Sequence, residues 1–110
     1  MKRLRFYMSN TDTIHHESLY MVIAKWAQDA GMKGCTILSG VTGFGSSSQL
    51  HNNKFWELNI KHPMVVEIID EESKLKAFVR EIKSDLNSMG KGFLITLEPV
   101  DILMDIQGTP

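Results

Sequence analysis

Hydrophobic and polar positions alternate along residues 2–8. Leu4, Phe6 and Met8 fall on one side, Arg3, Arg5 and Tyr7 on the other. Period two predicts a half-buried strand. The polar run Ser9-Asn10-Thr11-Asp12-Thr13 breaks it, and the period then changes. Across 17–30, Leu19, Val22, Ile23, Trp26, Ala27 and Ala30 recur at helical spacing as one apolar stripe, with Lys25, Gln28 and Asp29 off it. Gly31 supplies the left-handed residue that often ends a helix. Residues 34–41 predict a second strand, which runs into Thr42-Gly43-Phe44-Gly45-Ser46-Ser47-Ser48-Gln49, a Gly/Ser-rich loop that continues through Leu50-His51-Asn52-Asn53-Lys54. Trp56, Leu58 and Ile60 alternate as a short strand would. Pro63 then opens the apolar, β-branched run 64–69, a central strand with its proline at the start, where a missing N–H is tolerated.

Asp70 is placed to cap a second helix, with Glu71 and Glu72 in its first turn, where the helix dipole favours acids. Leu75, Phe78, Val79, Ile82, Leu86 and Met89 form its stripe and Gly90 ends it. Residues 93–97 predict a last core strand. Pro99 interrupts it, 100–106 is expected as an extension or edge strand, and 107–110 as a frayed tail. The order strand, helix, strand, loop, strand, helix, strand predicts an α+β fold: a ferredoxin-like βαββαβ sandwich with one antiparallel sheet, two helices on one face and a long loop after the second strand. One domain over 1–106 accounts for the chain. Tyr7, Val65 and Ile69 keep the opposite sheet face from being fully polar, so it is expected to pack against other subunits.

Composition narrows the function. With 12 basic and 13 acidic side chains the formal net charge is −1, so no basic excess exists to neutralise a nucleic-acid backbone. The longest apolar stretches are of strand length, short of a membrane span. Lys2, Arg3 and Arg5 open the chain without a signal-like apolar stretch after them. The only cysteine, Cys35, excludes an intrachain disulfide and, in an apolar run beside Ile37 and Leu38, reads as a small buried residue. These features suit the cytoplasm.

Few residues carry candidate chemistry. Gly40, Gly43 and Gly45 let backbone N–H groups converge on an anion at a strand end, and Ser46 to Ser48 add hydroxyls; an ordinary hairpin connection is the plain alternative. Lys91 sits between Gly90 and Gly92 and can reach a phosphate as a point charge, or simply offset the dipole of the preceding helix. His15-His16-Glu17 lacks metal-ligand spacing, and His51 and His62 could join it only in three dimensions. Glu67 lies mid-strand, either as a buried acid or on a face that meets water or a partner subunit's cation. Ser46 to Ser48 with His51 imitate a nucleophile and base in composition only, without a strand–turn–helix context, so the chain reads as a non-enzyme. Trp26 and Trp56 read as core and interface aromatics.

Four segments resemble, in order, the bacterial PII-like family known as domain of unknown function 190: Leu4-Arg5-Phe6-Tyr7, Leu19-Tyr20, Ala30-Gly31 through Gly45, and Pro63 through Asp70. The resemblance spans residues 3 to 103. It implies a trimer whose loop 41–54 (Ser46, Ser47, Ser48, Gln49 and His51 among it) binds a partner protein. It further implies a cleft between subunits for a small anionic effector, with ATP, ADP or AMP the adenine nucleotides to consider. The cleft walls would be Gly40, Gly43, Phe44 and Gly45 on one side and Gly90, Lys91 and Gly92 on the other. The sequence departs from PII itself. Residues 41–60 contain no tyrosine for uridylylation, the turn is shorter than the PII turn, and 101–110 hold no Arg or Lys, which weakens the case for ATP. A ligand-free interaction module and a CutA-like trimer binding divalent metal through histidines remain the alternatives.

Overall fold

The computed structural model describes residues 1–45 and 61–109. Its main sheet has four strands: β1 (Lys2–Ser9), β4 (Thr36–Ser39), β5 (Pro63–Asp70) and β6 (Leu94–Pro99). They lie in the order β4-β5-β1-β6 with every neighbouring pair antiparallel. Helices α1 (Leu19–Asp29) and α2 (Glu72–Ser88) follow β1 and β5. This is the expected ferredoxin-like arrangement.

The two periodicities build the core. Leu4, Phe6 and Met8 of β1 and Met64, Val66 and Ile68 of β5 are buried beneath Leu19, Val22, Ile23 and Ala27 of α1 and Leu75, Phe78, Ile82 and Leu86 of α2. Each of these side chains larger than alanine contributes roughly 1.5–3 kcal/mol by leaving water. The Phe6 and Phe78 rings meet edge to face at 6.2 Å and 87°, tying α2 to the central strand. Trp26 packs half-buried against this core; Ala30, at the end of the α1 stripe, is exposed.

Asp70, 1% exposed, closes the far end of the sheet. Its carboxylate accepts the backbone N–H of Glu71 at 2.8 Å and of Lys33 at 3.1 Å, and Lys74 Nζ at 3.4 Å. Lys74 also donates to the Gly31 carbonyl at 2.6 Å. Asp70 is therefore the last residue of β5, Glu71 takes the N-cap position of α2, and the pair pins the turn after α1 to the start of α2. Gly31 makes that turn at φ +79°.

Besides the cap, which is Glu71 and not the expected Asp70, three expectations are corrected. Between β1 and α1 lies a small hairpin, β2 (Thr13–Ile14) and β3 (Glu17–Ser18), turned by His15 and His16 at φ 51° and 66°. Residues 100–106 add no strand: β6 pairs Pro99 with Lys2, so β1 has run out, and the Val100 N–H to the Met1 carbonyl, 3.2 Å, continues the contact by one bond. Cys35 is exposed rather than buried, because β4 begins only at Thr36 and forms an edge of the sheet. The expected strand at 56–60 lies outside the described residues.

Candidate functional site

The strand ends fix where the loop glycines sit. Gly40 follows β4, and its N–H donates to the Pro63 carbonyl at 2.8 Å, across the start of β5. A Cβ at residue 40 would lie 2.7 Å from Pro63 Cγ, closer than real Cβ contacts, so glycine is required by this approach. Next to it, the Asn10 N–H donates to the His62 carbonyl at 3.0 Å and the His62 N–H to Asn10 Oδ1 at 2.8 Å. The exit of β1, the exit of β4 and the entry of β5 are thus stapled together, and the segment between β4 and β5 begins and ends at one clamp. His62 Nδ1 is buried beside the clamp with no hydrogen-bond partner among the described residues.

Beyond Gly40 the chain opens to solvent. Phe44 is 71% exposed, and Gly43 has room for a side chain, since its nearest neighbour, Pro63 Cγ, would be 3.6 Å from a Cβ. Ser46, Ser47, Ser48, Gln49 and His51 lie outside the described residues.

The second glycine cluster sits at the same end of the sheet on the opposite edge. Helix α2 stops at Ser88, Gly90 turns at φ +66°, and Lys91 and Gly92 lead exposed into β6, whose Leu94 pairs with Tyr7. The sheet order places β5 and β1 between β4 and β6, so the clusters are three strand spacings apart, about 14 Å. Within one copy the two predicted walls do not face each other.

The open face of the sheet reads as rows. Nearest the Gly40 end, Leu38, Val65, Tyr7 and Leu94 form an apolar row across all four strands. Thr36, Glu67, Arg5 and Thr96 form the next, followed by Ile69, Arg3 and Glu98. Glu67 meets its cation in the same chain, Arg5 Nε donating to it at 2.8 Å, while Arg3 pairs with Glu98 at 2.7 Å and Arg5 reaches Glu98 at 3.7 Å. The alternation in β1 signals that Arg3 and Arg5 share a face, but their partners depend on strand register, which the sequence does not display.

Among the described residues, no group of three or more His, Cys, Asp or Glu side chains is placed to hold a metal ion, and no helix is long and apolar enough to cross a membrane. His15 and His16 form the hairpin turn, while the His62 backbone N–H is held by Asn10 at the clamp.

Solved structures share this fold. CPII, a nitrogen regulatory PII-like protein from Thiomonas intermedia K12 solved bound to ADP, AMP and bicarbonate, matches with a TM-score of 0.65 at 13% identity, covering 96% of this chain and 94% of that one. A putative PII-like signalling protein from Thermus thermophilus matches with a TM-score of 0.59 at 15% identity over 88% and 83% of the chains. In sequence, a UPF0166 protein of Aquifex aeolicus is 34% identical over 102 residues, 93% of this chain and 92% of its own. The model of domain of unknown function 190, described as "Uncharacterized ACR", matches residues 1–102. The chain belongs to that family, whose fold here is PII-like.

Proposed function

We propose that this protein is a cytoplasmic homotrimeric sensor, not a catalyst. It binds a small anionic effector, an adenine nucleotide, in clefts between subunits and engages a partner protein through loop 41–54. One observation carries this reading: two glycine-rich clusters stand at the same end of the sheet on opposite edges. A ring of copies in which the β4 edge of one meets the β6 edge of the next brings them together. Gly40, Gly43, Phe44 and Gly45 then face Gly90, Lys91 and Gly92 across a cleft that one copy lacks. The apolar row Leu38-Val65-Tyr7-Leu94 lies beside both edges and gives such a contact its hydrophobic content. The solved PII-like neighbour bound to ADP, AMP and bicarbonate supports the choice of ligand class.

Nucleotide binding at the glycine base is coupled to partner engagement through the segment that leaves it. The second reading is an interaction module without small ligand; it is favoured by Lys91 being the single cation of the two glycine clusters, which leaves little positive charge to hold phosphates.

A thermal-shift panel of ATP, ADP, AMP, cyclic nucleotides and bicarbonate, with and without magnesium, separates the two. A ligand at a hundred times its Kd adds ~2.7 kcal/mol to the native state. For a domain of this size each kcal/mol raises Tm by roughly 4–8 °C. A clear rise with one nucleotide is expected, and a flat panel would favour the ligand-free module.

A further inference from the structure

The geometry points to segment 101–106 as an arm that docks on a second copy of the chain, in the groove between α1 and residues 32–35 of that neighbour. This rests on the assembly proposed above and adds to it a contact at the opposite end of the sheet from the glycine clusters.

The arm is an apolar segment that its own chain leaves largely exposed. Ile102, Leu103, Met104 and Ile106 all face solvent, Leu103 being 96% exposed. Four apolar side chains within five residues mark a surface that another molecule covers. The same chain carries a matching receptor. A groove of about 630 Å³ lies between α1 and residues 32–35, with Met21, Met32 and Cys35 among its apolar walls. Lys25 and Lys33 line it too, with Glu17 the one acid. The arm brings Asp101 and Asp105 to those two lysines, so the charges are complementary as well as the apolar surfaces. Lengths agree: six extended residues span about 20 Å, and the eleven-residue helix α1 about 16 Å.

The arm does not fill the groove of its own chain. Ile102, Met104 and Asp105 instead line a second cavity of about 330 Å³, against Thr36, Glu67 and Ile69 of the open sheet face. Residues 33–35 belong to the walls of both cavities and stand between the arm and its own groove. Arm and groove are different patches of one chain, so their pairing is head to tail, the kind of contact that closes a ring.

Cys35 makes the test direct, because it is the only cysteine and lies in the groove wall. The full chain carrying Leu103→Cys is oxidised at mildly alkaline pH, and its products are separated without reductant. Covalent dimers and trimers are expected, absent from the unsubstituted protein and from Leu103→Cys combined with Cys35→Ser. Leu103→Asp should raise the concentration at which the assembly dissociates at least tenfold, read by light scattering. A disulfide confined to single chains would overturn the arm exchange. So would the absence of any link in a protein whose mass is that of an assembly, and that result would leave the shared nucleotide cleft standing. A protein of monomer mass at micromolar concentration would overturn both.

Discussion

The Gly40 N–H donates to the Pro63 carbonyl at 2.8 Å, and Pro63 Cγ sits 2.7 Å from where a Cβ on residue 40 would be. The bond and the contact act together. The bond sets the point at which the chain leaves the sheet after β4, and the proline ring lets no side chain share it. Gly40→Ala should therefore destabilise the fold by about 1–3 kcal/mol, the usual cost of forcing extra volume into a packed position. Gly43→Ala should be nearly silent, since its Cβ meets Pro63 at an ordinary 3.6 Å. Urea unfolding of both variants checks the contrast, and equal effects would contradict it.

Asp70 gives a pH dependence of definite sign. Burial pushes its carboxyl pKa up, but the backbone N–H groups of Glu71 and Lys33 and the Lys74 ammonium outweigh this and hold it below the usual carboxylate range. A depressed folded-state pKa contributes stability that is present above the unfolded value and lost as pH falls through the folded one. Asp70→Asn should cost about 1–3 kcal/mol near neutral pH, because buried donors lose a charged acceptor. The gap between wild type and variant should narrow below about pH 4, the unfolded carboxylate range. A gap that stays constant to pH 2 would show that charge plays no part.

His15 and His16 occupy the two left-handed positions of a two-residue hairpin turn, at φ 51° and 66°. An Asn-Gly pair fits such a turn far better. The double substitution His15→Asn with His16→Gly is expected to raise stability by roughly 0.5–2 kcal/mol through relief of backbone strain, measured as an increase in Tm. A lower Tm would mean that the imidazoles make contacts worth more than the strain.

Leu94 tests the open face. It is 58% exposed at the β6 edge and ends the row that runs through Tyr7 and Val65 to Leu38. Leu94→Asp should leave the circular dichroism spectrum of the fold intact and shift the protein toward monomer in light scattering. An unchanged mass at low micromolar concentration would remove the sheet face from the subunit contact.

Much of the fold was legible because its elements have one clean period each. Strand β1 reads as alternation, α1 and α2 as single stripes, and β5 as a β-branched run opened by proline; all four appear within a few residues of their expected bounds. What escaped depends on partners distant in sequence. The β2–β3 hairpin has two-residue strands and a His-His turn, which carries none of the usual glycine or asparagine signal. The extension at 100–106 failed because the ladder on β1 ends at Lys2, a fact of register. Cys35 looked like core because its neighbours are apolar, yet β4 is an edge strand that starts one residue later. For the candidate site, the glycines and Lys91 could be named from sequence, but their position on opposite edges of one sheet end follows only from the strand order.

That separation is the centre of the account, and mixing two defective subunits tests it most directly. Lys91→Glu should spoil the β6 wall of every cleft, and Gly43→Glu the β4 wall, each by placing a carboxylate beside the phosphates. Neither homogeneous protein should bind ADP in calorimetry, while both keep the assembly mass of wild type. Co-refolded together, they should regain ADP binding at a fraction of the sites, because some clefts then combine the intact β4 wall of one subunit with the intact β6 wall of the next. Mixed assemblies that bind no ADP, from variants of a wild type that does, would contradict a cleft shared between copies.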